Sequence, residues 1–221
     1  MITPTAMSHP NSDTDTPNGA LDELLRGNAR FVEGRTGAES TLIDRDAMAA
    51  DQSPHAAILR CADSRVAPEI VFDQSLGSLF VCGIAGNAAT DEVIGSLDYA
   101  VQVLGCKAIV VMGHTSCGAI AAAMADESAQ GHIATLLDHI VIDGDDDATR
   151  AAHNAVHQAS EIARRSSPIA AAVSRGELCV AAGVFDIASG RFAFTSRSVQ
   201  PDGGGYDALR AGSSAVRADD S

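Results

Sequence analysis

The stretch AIVVMGHTSCG, Ala108 to Gly118, decides the architecture. Its first five residues are apolar without a polar alternation. A strand with one wet face alternates, so an unbroken apolar run of this length reads as a strand covered on both faces, the pattern of a parallel sheet packed between helices. Gly113 and His114 follow the run, and a second apolar segment, 119–125, reads as a helix. The same signature recurs outward in both directions. Runs at 56–59, 79–82 and 178–184 are buried-strand candidates, and helical stretches at 68–72, 91–104, 119–125 and 151–165 lie between the four runs. Strands alternating with helices predict an α/β fold with a mainly parallel four-stranded sheet flanked by helices. Residues 192–195, after the Ser189-Gly190 turn, are a candidate antiparallel edge strand.

Upstream, 20–32 carries Leu21, Leu24, Leu25 and Phe31 at helical spacing and reads as an N-terminal helical arm; 44–50 is a shorter, weaker helix. Residues 1–18 are rich in Thr, Ser, Pro, Asn and Asp and read as a disordered arm, 19–200 as one domain, and 201–221 as a flexible tail. The acidic run 143–147 reads as a solvated loop.

The chain of 221 residues carries 15 Lys and Arg against 29 Asp and Glu, a net charge of −14. Such a surface repels phosphate backbones, which argues against nucleic-acid binding. No apolar run approaches the roughly 18 residues of a membrane span. The N-terminal stretch has neither a basic start nor an apolar core, so no export signal is expected, and the location expected is cytoplasmic. Five cysteines without an export signal read as thiols or thiolates rather than disulfides.

Cys61 directly follows the first strand in RCADSR, His114 follows the third, and Cys117 stands three residues later at the turn into a helix. All three fall at carboxyl ends of strands, where open α/β sheets place their sites. Two thiolates and an imidazole match zinc, which is borderline soft and prefers four ligands in a tetrahedron. Asp63 is the nearby candidate for the fourth position, and Arg65 is spaced to clamp its carboxylate and hold it away. A site with three protein ligands and an open position is the catalytic arrangement. Other candidates read differently. Cys82, Cys106 and Cys179 lie in or beside apolar runs as core residues; His153 and His157 read as an exposed helix face; His132 and His139 read as solvated. Gly203 to Gly205 lack the strand-then-helix context of a phosphate loop.

The segments CADSRVAPEIVFDQSLGSLFV (61–81), AGN (85–87) and GSLDYAVQVLGCKAIVVMGHTSCGAI (95–120) closely resemble the β-class carbonic anhydrases. LDELLRGNARFVEGR (21–35) resembles that family's N-terminal helix, and GELCVAAGVFDIASGRF (176–192) its last core strand and turn. The resemblance implies one Zn2+ per subunit on Cys61, His114 and Cys117, with Asp63 and Arg65 as a catalytic dyad and Asp63 a ligand only in a closed state. It implies reversible hydration of CO2 to bicarbonate and a proton by zinc-bound hydroxide, in a homodimer or higher homo-oligomer. Gln52, Phe80, Tyr99 and Gly118 match the family's substrate-pocket positions, Gln52 from across a dimer interface. One departure is Gly83, where the family usually carries Arg. Two other readings share the ligands: a hydrolase of COS or CS2 on the same fold, and a non-catalytic protein whose zinc is closed by Asp63.

Overall fold

The computed structural model describes residues 12–37, 48–49, 51–125 and 129–200. Five strands form one sheet in the order β2-β1-β3-β4-β5. They are β1 (Ala56–Arg60), β2 (Leu79–Gly83), β3 (Ala108–His114), β4 (Cys179–Asp186) and β5 (Arg191–Ser196). The first four are mutually parallel, and β5 returns antiparallel to β4, with Phe185 opposite Phe192. The expected architecture is therefore the observed one. The helices are α1 (Pro17–Val32), α2 (Pro68–Val71), α3 (Asp91–Gln102), α4 (Gly118–Met124), α5 (His132–Leu137), α6 (Asp147–Arg165) and α7 (Ser167–Ser174).

Why β3 lies at the centre follows from its composition. All seven of its residues are buried, and the period of two sends successive side chains to opposite faces. Ala108, Val110 and Met112 join Ile58, Leu21, Leu24 and Phe72 under α1. Ile109 and Val111 join Ala57, Leu59, Ile94, Leu97, Ala155 and Ile162 under α3 and α6. Both faces are thus sealed, as the continuous apolar run requires.

Helix boundaries depart from the apolar pattern where caps decide them. α1 starts at Pro17, three residues before the apolar spacing begins, because Thr16 accepts the Gly19 amide and Pro17 is pre-set for a first turn. A 3-10 turn, Ser12–Asp15, precedes it. α6 starts inside the acidic run: Asp146 and Thr149 form a reciprocal capping box. The run is therefore partly structural rather than merely solvated. Its Asp143 carboxylate lies 3.5 Å from His153 Nδ1. His153 is 6 % exposed and His157 half-buried, so the expected exposed histidine face is wrong. The loop before α6 folds back over that face, which helical periodicity cannot register. α5 and α7 were not anticipated; Ser166 caps α7 and Pro168 sits in its first turn. Residues 1–11 of the expected arm, most of the helix at 44–50 and all of 201–221 lie outside the described residues.

Candidate metal centre

In an open parallel sheet, the crevice forms where neighbouring strands send their chains to opposite faces. Here that point lies between β1 and β3, the strand order turning from β2 on one side to β4 on the other. Cys61 leaves the carboxyl end of β1 and His114 ends β3. Ser116, at φ +55°, takes the left-handed turn between His114 and Cys117, the residue that caps α4. The donor atoms of Cys61, His114 and Cys117 all lie within 4.8 Å of one another, and all three residues are buried. Gly118 follows, with no atom near the space a Cβ would take.

The donor set fits a zinc ion on three counts. The two sulfurs are 4.0 Å apart, against about 3.8 Å for the edge of a tetrahedron with zinc–sulfur bonds of roughly 2.3 Å. His114 Nδ1 donates to the Thr115 carbonyl at 2.9 Å, which fixes the proton on Nδ1. Nε2 therefore carries the lone pair, and it is buried with no hydrogen-bond partner. An orphaned acceptor beside two thiols in a residue 1 % exposed is costly unless a cation satisfies it.

Electrostatics point the same way. A hydrogen bond from Cys117 pulls the Cys61 thiol well below the ordinary range against the cost of burial, helped by the Asp63 and Gly86 amides. The Cys61 thiolate in turn pushes Cys117 up. Contact with Cys61 and with the Thr115 carbonyl raises the His114 imidazole although burial works to lower it. Cys117 can give up its proton beside the Cys61 thiolate only with a positive charge between the two sulfurs, which a divalent metal would provide.

Asp63 and Arg65 stand beside the trio as expected. Arg65 Nε donates to Asp63 Oδ1 at 2.9 Å and Nη2 to Oδ2 at 2.7 Å, a two-pronged clamp reinforced by the Arg65 amide on Oδ1. The guanidinium holds the Asp63 carboxyl well below the usual carboxylate range. Arg65 Nη2 also reaches the Ser116 carbonyl at 3.1 Å, tying the β1 loop to the β3 loop.

Gln52, Phe80 and Tyr99 are placed elsewhere in the chain. Gln52 is exposed ahead of β1, whereas Cys61 follows that strand, so five strand residues, about 16 Å, separate them. Phe80 and Tyr99 approach each other, ring centroids 6.3 Å apart. Phe80 packs on the cluster under α3 and α6, while Cys61 and Cys117 belong to the opposite face. Tyr99 is 47 % exposed.

Some contributors were not anticipated. Asp147, in the acidic run, accepts the Ser116 amide at 2.5 Å and steadies the left-handed turn. Arg60 Nη1 donates to the Cys61 carbonyl at 2.7 Å. Its guanidinium lies across Gly83 on β2, where an added Cβ would come within 3.3 Å of Cζ. The absent Arg at 83 is thus matched by an Arg from its register partner, Arg60. Cys82, Cys106 and Cys179 are buried thiols raised by burial, as core residues should be.

A mainly parallel sheet that brings a Cys, His, Cys donor set together at its topological switch point defines an α/β protein with a candidate metal site. A family model described as carbonic anhydrase matches residues 56–192. Carbonic anhydrase 2 of Mycobacterium tuberculosis is 52 % identical over 110 residues, 49 % of this chain and 53 % of the relative. The match thus spans about half the length of that relative. The carbonic anhydrase of Pseudomonas aeruginosa is 34 % identical over 198 residues, covering 77 % of this chain and 86 % of the relative. Among solved structures, the β-carbonic anhydrase of Coccomyxa, in complex with acetazolamide, superposes with a TM-score of 0.62 at 26 % identity, over 79 % of this chain and 85 % of that one. The chain belongs to the β-class carbonic anhydrase family.

Proposed function

We propose that this chain is a zinc enzyme that reversibly hydrates CO2 to bicarbonate and a proton. The observation that carries the reading is the orphaned, buried His114 Nε2 facing two sulfurs, next to a carboxylate that a guanidinium keeps to one side. Cys61 Sγ, His114 Nε2 and Cys117 Sγ would hold one Zn2+ per chain. When bound, the ion supplies Lewis acidity that brings a water's pKa toward neutrality.

The chain's own groups do the rest. Asp63 stays ionised because Arg65 occupies both its oxygens. An ionised carboxylate only accepts hydrogen bonds, so its remaining lone pairs hold and orient a reactant that still carries a proton. They turn away an anion that carries none. Arg65 keeps Asp63 at the edge of the site, so that a zinc held by the trio would have a position left open to solvent. That clamp speaks against a closed, purely structural site, which would have no use for it.

Gln52 lies ahead of β1, a strand's length from Cys61, and would reach the pocket from across a dimer interface, so the active unit of this reading is a homodimer or larger. Large apolar side chains exposed in the monomer, Ile70, Leu76, Tyr99 and Val103, supply surface for that association. A β-carbonic anhydrase pair from Sordaria macrospora, with which the fold is shared, is described as tetrameric. Five free cysteines fit a reducing, cytoplasmic setting. No helix among the described residues is long and apolar enough to cross a membrane.

The test is stopped-flow hydration of CO2 followed with a pH indicator. Protein loaded with one zinc per chain should exceed the buffer rate, lose that rate to a chelator and regain it with zinc. A loaded protein that hydrates COS or CS2 but not CO2, or neither, would overturn the proposal.

A further inference from the structure

The sulfur of Cys61 accepts a peptide hydrogen bond: the Gly86 amide lies 3.3 Å from it. That amide can point there because Gly86 sits at φ +68°, and a Cβ at this position would fall 2.5 Å from Ile140 Cδ1. The other side of the same residue, the Gly86 carbonyl, accepts a hydrogen bond of 3.0 Å from Asn154 Nδ2 on α6. Asn154 is 0 % exposed. Its Oδ1 accepts from the Val141 amide and from Gln158 Nε2, each at 3.1 Å. The amide orientation is settled by these partners, since a backbone N–H needs an acceptor and a carbonyl needs a donor. Gln158, also buried, continues the chain by accepting the Ala89 amide at 2.8 Å and donating to the His139 carbonyl at 2.6 Å.

We infer that Asn154 is a positioning residue for the metal centre: it holds Gly86 so that a peptide N–H stays fixed on the Cys61 sulfur. Nothing in the RCADSR or GHTSCG segments marks it, because it lies on another helix and acts through a residue that is not itself a ligand. The physical effect is on the sulfur. A thiolate that accepts a hydrogen bond donates less charge to a metal, which leaves the metal a stronger Lewis acid. A fixed donor also removes the motion that would otherwise loosen one of three ligands. The two faces of the sheet are connected by this route, since α6 packs against β3 and β4 while its Asn154 reaches round to the site.

The inference rests on the zinc reading above, and the experiment separates the two. Asn154→Asp keeps the shape and the acceptor atom but lacks the donor to Gly86; Asn154→Ala removes both. Ser160→Ala, on the same helix, removes a buried hydroxyl that donates to the Val156 carbonyl and serves as the control. Zinc affinity is read by chelator competition, and the sulfur's donation by the thiolate-to-cobalt charge-transfer band of the Co2+-substituted protein. Both Asn154 variants should hold zinc at least about 10-fold more weakly and shift that band to lower energy, while Ser160→Ala moves neither. Asn154 variants that lose stability yet keep wild-type affinity and band position would overturn the inference and leave the zinc reading intact. A wild-type chain that takes up no metal overturns both. If neither Asn154 variant folds, the wild-type protein loaded with 113Cd decides: scalar couplings from the Gly86 amide proton to cadmium and from the Asn154 side-chain amide to the Gly86 carbonyl carbon must both be present, and the absence of either sinks the proposal.

Discussion

Gly113→Ala adds a single methyl group one residue before His114, and the structure says what that methyl meets. A Cβ on Gly113 would lie 2.8 Å from the Ala151 carbonyl oxygen and 3.3 Å from Ala155 Cβ, both on α6. Ordinary contact begins near 3.4 Å, so the helix backbone must withdraw by roughly half an ångström. Overpacking of this kind costs about 1–3 kcal/mol. In a chain of this length each kcal/mol is worth about 2–4 °C of melting temperature, so the fall should be roughly 6 °C at the middle of the range. The damage should not stop at stability. α6 carries Asn154, which holds Gly86, and begins at Asp147, which accepts the Ser116 amide. A displaced α6 therefore loosens the supports of Cys61 and Cys117, and on the proposed zinc reading the affinity for zinc should fall together with stability. The assay is thermal unfolding of zinc-loaded and zinc-free protein, followed by circular dichroism, beside chelator competition. A Gly113→Ala protein that melts within a degree of wild type and binds zinc unchanged would refute the packing of α6 described above.

Other expectations concern the site and α1. Cys61→Ser or His114→Ala should abolish stoichiometric zinc binding and the hydration rate, whereas Cys82→Ser, a core thiol outside the donor trio, should leave zinc content at one per chain; metal analysis after dialysis checks all three. Asp63→Asn should keep zinc and lose rate, because the thiolate and imidazole donors stay while the acceptor-only carboxylate goes, and Arg65→Leu should keep zinc and slow the reaction by freeing Asp63 to close the site. Equal rates for these variants and wild type in the same stopped-flow assay would remove the dyad from the account. Glu23 on α1 is held below its ordinary value of 4.5 by Arg26, Gln74 and Arg30 although burial opposes them. Its contribution is therefore present above pH 4.5 and is lost as pH falls through the depressed folded value. Urea titrations should show Glu23→Gln less stable than wild type at neutral pH and equal to it in strong acid.

What could be read from the chain alone followed the range of the interactions involved. β3 and its turn were legible because burial on both faces leaves an unbroken apolar run, and the candidate donors stand just past such runs, Cys61 after β1 and His114 and Cys117 at the end of β3. Asp63 and Arg65 were legible for the same reason, their clamp spanning only two residues. His153 was misread because its partner Asp143 reaches it through a returning loop, which no helical period reports. α7 was missed because its start depends on a Ser166 cap and Pro168 rather than on an amphipathic stripe. The Asn154–Gly86 contact joins residues 68 apart and exists only once α6 has docked. Gln52, Phe80 and Tyr99 entered through resemblance alone, and a single chain holds them away from the trio.

The most direct measurement is the crystal structure of the zinc-loaded protein at alkaline pH. One ion bonded to Cys61 Sγ, His114 Nε2 and Cys117 Sγ, with its fourth position open to solvent and Asp63 still gripped by Arg65, is the predicted result. An ion capped by the Asp63 carboxylate, or bound anywhere other than on those three residues, would contradict the account.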